Sequence, residues 1–139
     1  MKHILALALA VLATAAACGG SSSDNSSIVA PPVTVNTETF TGTVPASGTD
    51  GSHTFVVTTA GALNITLLTV GPLPSIVVYL GIGNPGAGGT CSLLQNPTLA
   101  QGSNTAQITG TAAPGTYCVS VQDFQGVGPI TYTLTVAHS

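Results

Sequence analysis

From Thr37 onward, the chain consists of short segments in which apolar and polar residues alternate, separated by Gly, Pro, Asn and Asp. In the segment ITYTLTV, residues 130–136, four apolar side chains alternate with three threonines. A period of two is typical of a β-strand that buries one face, so the threonines are expected on the opposite face. No stretch with helical periodicity competes with this interpretation. The pattern predicts an all-β domain.

The same alternation recurs in four other segments, at 40–44, 55–57, 63–67 and 117–121. A continuous apolar run at 75–82 is typical of a central strand that is covered on both faces. Weaker strands are expected at 91–94 and 104–109, which brings the count to about eight. Such strands close most simply into a small antiparallel β-sandwich of jelly-roll type.

Glycines mark the predicted connections between strands. Tight turns are expected at Asp50-Gly51, Ala60-Gly61 and Pro114-Gly115, where glycine can adopt the positive φ that such turns require. The glycine-rich run 81–89 resembles a phosphate-binding loop only in composition. It contains no lysine and no helix is predicted after it, so it is interpreted as a mobile surface loop.

The first 17 residues are interpreted as an export signal. A positive end, Met1-Lys2-His3, precedes an apolar run at 4–17 that is too short to span a bilayer comfortably. The run ends in Ala-Ala-Ala-Cys-Gly, which resembles a bacterial lipobox and implies that Cys18 is lipidated. Ordinary cleavage at the small residues is the alternative. Gly19 after the cysteine favours the outer membrane of the bacterial envelope.

Residues 19–36 are rich in Gly, Ser and Asn and contain Pro31-Pro32, a composition that cannot bury enough apolar surface to fold. They are interpreted as a flexible tether between the anchored Cys18 and a folded domain at 37–139. The acyl chains on the cysteine would bind the membrane by burying CH₂ groups, at about 0.8 kcal/mol each.

Charge is scarce in this chain. Charged residues make up 4% of the sequence and aromatic residues another 4%, which excludes a nucleic-acid-binding protein and a coiled coil. The single basic side chain among Lys and Arg is Lys2, within the leader. Attraction to nucleic acid, or to anionic lipid beyond the anchor itself, is therefore not expected.

Two cysteines remain once Cys18 is assigned to the lipid. In an exported protein Cys91 and Cys118 are expected to form a disulfide, because an even pair of thiols in an oxidising compartment usually joins. Metal binding by the pair is the alternative, but no third ligand lies nearby in the sequence.

Five stretches of the folded part together resemble the bacterial pre-peptidase C-terminal domain: FTGTV, SHTFVVTTAGALNITL, VVYLG, AAPGTYCVSV and YTLTV. The resemblance implies a jelly-roll-like sandwich, and a role in export, localisation or substrate attachment beside secreted peptidases. Some relatives bind collagen with calcium. This chain carries no peptidase domain, and its acidic residues Glu38, Asp50 and Asp123 are far apart in sequence. No metal and no cofactor are therefore predicted.

Candidate chemistry is sparse. Asp50, Ser52 and His53 contain the residue types of a catalytic triad, but adjacent residues of a strand face opposite sides, so no catalytic residue is predicted. His138 is expected to be an exposed tail residue. The first place to look for a ligand is Gln122-Asp123-Phe124, where amide, carboxylate and ring lie together, with Asp123 also expected to cap a turn.

The sequence thus predicts a non-catalytic, secreted surface lipoprotein with a β-sandwich binding or accessory domain that contacts extracellular glycan, envelope material or protein. The alternative is a structural envelope module that assists a separately encoded secreted enzyme and has no discrete ligand. The outward threonine rows could contact sugar hydroxyls or a repetitive surface, or be simply solvated.

Overall fold

The computed structural model describes residues 32–46 and 51–139. Cys18 and Asp50 lie outside these ranges, as do the predicted leader and most of the predicted tether. Pro32–Ser139 form a compact unit. In the part of the chain that is described, no helix is long and apolar enough to cross a membrane.

The described residues form nine β-strands and one short 3₁₀ turn at Ala87–Gly89. The strands are β1 (Asn36–Val44), β2 (Gly51–Val57), β3 (Gly61–Gly71), β4 (Val78–Pro85), β5 (Cys91–Leu93), β6 (Thr98–Ala100), β7 (Ile108–Ala112), β8 (Gly115–Asp123) and β9 (Ile130–His138). The predicted all-β class is confirmed.

The strands form two antiparallel sheets. The four-stranded sheet has the order β1-β9-β3-β7, and the five-stranded sheet has the order β2-β8-β4-β5, with β6 also paired to β4. With the short β6 set aside, the first strand pairs with the last, the second with the last but one, and so on inward. That order is produced when one long antiparallel hairpin is rolled up, so the predicted jelly-roll sandwich is confirmed.

The core lies between the two sheets and is built from the inward rows that the alternation predicted. In the four-stranded sheet, Phe40 lies opposite Leu134 and Ile65 lies opposite Val136. The largest fully buried side chains are Phe55, Ile65, Leu67, Leu80, Ile130 and Leu134. Their removal from water is the main favourable contribution to folding, at roughly 25 cal/mol per Å² of apolar surface.

Two strand predictions were displaced. The central strand runs over Val78–Pro85 rather than 75–82, and β7 covers Ile108–Ala112 rather than 104–109. The predicted weak strand at 91–94 is present as Cys91–Leu93, whereas the short β6 was not predicted. Where a strand begins and ends depends on which of its backbone groups find hydrogen-bond partners in the sheet. The alternation of apolar residues carries no information about this pairing.

The glycine-rich run 81–89 was wrongly interpreted as a mobile loop along its whole length. Its first half is buried strand, and the reason is close packing. A side chain at Gly81 would meet Leu93, and one at Gly83 would collide with the backbone of Ser92. β5 pairs with the end of β4 at the edge of the sheet, and the two glycines leave room on the outer face for the Leu93 side chain and the Ser92 backbone that fold over it.

Candidate functional site

The predicted ligand loop lies at the end of β8. Asp123 Oδ1 accepts hydrogen bonds from the backbone N–H groups of Gln125 and Gly126, at 2.9 and 2.8 Å, so the predicted turn cap is confirmed. Gln125 Oε1 in turn accepts from the Val77 backbone N–H at 3.2 Å. Phe124 therefore lies in a turn that is hydrogen-bonded internally by Asp123 and attached to Val77 by the Gln125 side chain.

Tyr79, Leu99, Gln122 and Phe124 form what we call the aromatic corner. Tyr79 lies directly opposite Leu99 on β6 and Gln122 on β8, so these three side chains share the outer face of the five-stranded sheet. The rings of Tyr79 and Phe124 meet edge to face, with centroids 4.9 Å apart and planes at 77°. Phe124 is 45% exposed and Leu99 is 53% exposed. The corner offers apolar surface, the Gln122 amide and the Tyr79 hydroxyl, and none of its four side chains is charged.

A groove of about 680 Å³ continues from Leu99 along the loop 101–107. Gln107 holds this loop in place. Its Oε1 accepts from the Leu67 N–H at 2.8 Å, and its Nε2 donates to the Gln101 carbonyl at 3.0 Å. The side-chain amide of Gln107 thus accepts the hydrogen bond that a neighbouring strand would otherwise accept from Leu67. Leu67 lies next to the irregularity in β3 between Leu67 and Thr69. The groove was not predicted, because a glutamine whose side chain hydrogen-bonds to distant backbone groups has no recognisable sequence pattern.

The predicted disulfide is confirmed: Cys91 and Cys118 are joined, with S–S 2.02 Å and Cα–Cα 5.7 Å. It fastens residues 86–93, which we call the covering segment, to the outer face of the five-stranded sheet. Ser52 Oγ donates to the Gly89 carbonyl of that segment. Ser120 points outward yet is only 1% exposed. The covering segment therefore shields one half of this face and leaves the aromatic corner open on the other half.

No nucleophile and base come together at Ser52 and His53. The two side chains lie on opposite faces of β2, as the alternation predicted, and Asp50 falls outside the described residues. His53 turns inward, where its Nε2 lies 2.9 Å from the Tyr132 hydroxyl and its ring stacks on Phe40 at 4.9 Å. This arrangement closes the sandwich edge between β1 and β2 and leaves Ser52 with no general base beside it.

Burial perturbs both partners of this inward pair. Desolvation lowers the pKa of His53 below 6.5 and raises the pKa of Tyr132 above 10.0, because each charged form is disfavoured away from water. Gly42 and Gly51 flank the pair, and a side chain at either position would collide with the Tyr132 ring. The cluster is therefore a packed structural edge in which burial favours the neutral form of His53.

The expectation for His138 was wrong. It is the last residue of β9 and is only 2% exposed. Its Nε2 lies 3.0 Å from Glu38 Oε1, and its ring packs at 5.6 Å from Phe55. The reason is the topology: β9 has β1 on one side and β3 on the other, so the end of the strand is held on both edges and cannot fray.

A metal centre is not formed by the side chains that the structure describes. Within 32–46 and 51–139, no three of His, Cys, Asp and Glu approach closely enough to hold an ion. Glu38 is paired with His138, while Asp123 Oδ1 is bound within its own turn.

Among solved structures, the sandwich is similar to the pre-peptidase C-terminal domain of a collagenase from Bacillus anthracis. The two chains are 23% identical, and the match covers 71% of this chain and 87% of that one with a TM-score of 0.50. The structural match shows a common fold, and it confirms at the level of the fold the resemblance seen in the sequence. No protein-family model matches the chain. No curated protein matches it either.

Proposed function

We propose that this chain is an accessory binding module of the bacterial envelope that holds a neutral extracellular polymer, above all a glycan, at the aromatic corner. The observation that carries the proposal is Phe124, a ring 45% exposed on a turn fixed by Asp123 and Gln125. An exposed aromatic that is already ordered loses little entropy on binding, which is the property of a binding anchor.

The chemistry of the corner favours a neutral sugar polymer. Tyr79 and Phe124 present apolar ring surfaces at right angles, which suit the C–H faces of a pyranose. Gln122 adds an amide that can both donate and accept hydrogen bonds with sugar hydroxyls. The described residues contain neither Lys nor Arg, so an anionic polymer would find no cationic partner.

The adjoining groove extends the contact beyond a single sugar. Leu99 belongs to both surfaces, lying opposite Tyr79 in the sheet and lining the groove of about 680 Å³. A chain molecule seated on the corner would run on into this groove. The related solved domain is part of a collagenase, which supports an accessory role beside an enzyme and makes a protein polymer the second ligand to test.

The proposed location is the bacterial envelope, with a lipid anchor at Cys18 and a tether at 19–36. The Cys91–Cys118 disulfide supports export, because such bonds persist in oxidising compartments. Mass spectrometry of the mature N-terminal peptide tests the anchor. Acyl chains on Cys18 support it, and an unmodified terminus elsewhere overturns it.

The binding proposal is tested by thermal melting and calorimetry with neutral polysaccharides, peptidoglycan fragments and collagen-like peptides. A ligand at about 100 times its dissociation constant stabilises the domain by about 2.7 kcal/mol. We expect Phe124→Ala to weaken glycan binding at least about tenfold, or ~1.4 kcal/mol, because it removes the anchor ring.

Leu94→Ala is the matched control, since Leu94 is also an exposed apolar side chain, at 57%, but lies outside the corner. It should bind as the unmodified protein does. Equal affinity of Phe124→Ala and Leu94→Ala would remove the corner from the proposal. Absence of binding to every polymer would favour the structural module that assists a separately encoded enzyme.

A further inference from the structure

The outer face of the four-stranded sheet carries threonines in a two-dimensional array. On β1, Thr39, Thr41 and Thr43 lie directly opposite three threonines of β9, namely Thr135, Thr133 and Thr131. Directly opposed residues of antiparallel strands point to the same side of the sheet. Six hydroxyls therefore form three consecutive pairs on one surface, in register.

The array continues onto the next strand. Thr66 of β3 lies opposite Thr135, and Thr69 lies opposite Thr133. In the third row β3 has Gly71, and the Thr131 hydroxyl occupies the space where a side chain at Gly71 would begin. Three further threonines extend the margins of the same face: Thr37, Thr109 and Thr111.

This surface is uncharged, and beside the threonines it carries Ala62, Asn64 and Ala137. The threonine rows contain no aromatic or charged side chain, and Glu38 of β1 is turned toward His138 instead. Among the described residues, Thr90 is the threonine whose hydroxyl donates a hydrogen bond within the protein, and Thr90 is not part of the array. Each array hydroxyl is thus free to donate and to accept, and the β-branched side chains are stiff at χ1.

The array is also periodic in both directions. Neighbouring strands lie about 4.8 Å apart, and alternate residues of one strand about 6.7 Å apart. The twist of a sheet accumulates from strand to strand. The densest threonine rows span only three strands, β1, β9 and β3, so twist distorts their spacing little. A surface of identical, weak, evenly spaced groups gains affinity only from a partner that repeats in the same way.

We propose that this face binds ice. Ice is an uncharged lattice of hydrogen-bond donors and acceptors, which complements an uncharged array of hydroxyls able to play both roles. A charged side chain would hold its own liquid-like hydration shell, and the array contains none. Soluble glycans are usually bound by aromatic side chains and by fixed polar groups. In this protein those groups lie on the other sheet, at the aromatic corner.

The experiment uses the purified protein in slowly growing ice, with uptake into the ice fraction measured against an unrelated soluble protein. Crystal shaping is recorded by microscopy in parallel. Thr133 is the central position of the array, facing Thr41 on one side and Thr69 on the other. We expect the unmodified protein to enter ice and to shape crystals, and Thr133→Lys to reduce uptake at least tenfold.

Thr54→Lys is the matched control, because Thr54 is an exposed strand threonine on the other sheet. It should enter ice like the unmodified protein, and so should Phe124→Ala, which separates this inference from the glycan proposal. A circular-dichroism melt checks folding. If Thr133→Lys is unfolded, the exposed edge-strand variant Thr41→Lys replaces it.

Three results would overturn the inference. One is exclusion of the unmodified protein from ice. Another is equal loss of uptake in Thr54→Lys and in the array variants. The last is adsorption to an insoluble crystalline polysaccharide that depends on Thr133 while ice uptake does not, which would make this face a second glycan surface.

Discussion

The two outer faces of the sandwich differ sharply although both sheets follow the same alternation of apolar and polar positions. The face of the four-stranded sheet carries rows of threonines on β1, β9 and β3, with uncharged residues beside them. The face of the five-stranded sheet is divided between a disulfide-fastened covering segment and the exposed aromatic corner. The inward positions of both sheets must fill one core, whereas the outward positions are free of that constraint. The two sheets therefore differ chemically in their outward residues and not in their core residues.

The largest expected effect comes from the disulfide that creates this difference. Cys118→Ser opens a loop with a sequence separation of 27, so the chain-entropy model gives a loss of about 3.5 kcal/mol in the free energy of unfolding. This is large beside a total of about 5 to 15 kcal/mol. The melting temperature in non-reducing buffer measures it.

Hydrogen exchange in the same variant sharpens the comparison between the faces. Amides that exchange through global unfolding should exchange faster in both sheets, because the free energy of unfolding falls. The covering segment and the strands beneath it should show a further increase from local opening. A melting temperature equal to that of the unmodified protein would contradict the stabilising role of the disulfide. Exchange in the covering segment that rises no more than exchange in β1 and β9 would contradict its role in fastening that segment.

A smaller loss is expected from adding one methyl group beneath the covering segment. Gly83→Ala would place its carbon against the backbone of Ser92, which cannot move aside as a side chain does, so we expect a loss of about 1 to 3 kcal/mol. Chemical denaturation measures it. Gly110→Ala on β7 is the control, because the added carbon meets nothing within 4 Å there. Equal stabilities of the two variants would show that the covering segment is not closely packed.

The smallest effect is a pH dependence from the edge that joins the two sheets. Burial lowers the pKa of His53 below 6.5, so below that pH the unfolded chain binds more protons than the folded protein does. Stability should therefore fall as the pH decreases through 6.5 and level off below the folded-state pKa. Thermal melting of His53→Gln against pH should give a flatter profile in that window. An unchanged profile would mean that another group causes the slope.

The inward rows could be predicted from the sequence because burial of one strand face enforces a period of two, as at Ile130 to Val136. The disulfide followed from counting cysteines, and the cap at Asp123 from local turn chemistry. Each of these depends on residues close in the chain or on a simple count. Errors began where a residue's environment depends on distant segments.

His138, the groove and the two buried glycines show why. His138 is buried because β9 lies between two strands that come from elsewhere in the chain. The groove depends on a Gln107 amide that bonds to Leu67, 40 residues away. Gly81 and Gly83 are strand residues because they pair with Ser120 and Cys118 of β8.

By itself, the sequence determined the all-β class, the buried face of most strands, the pairing of Cys91 with Cys118 and the scarcity of charge on the folded domain. Only the tertiary structure decided that Tyr79 and Phe124 meet at an exposed corner, and that threonines from β1, β9 and β3 fall into register on one face. The physical reason is that alternation along a strand specifies which side a residue faces. Which residues become neighbours across strands is set by how the whole chain rolls up.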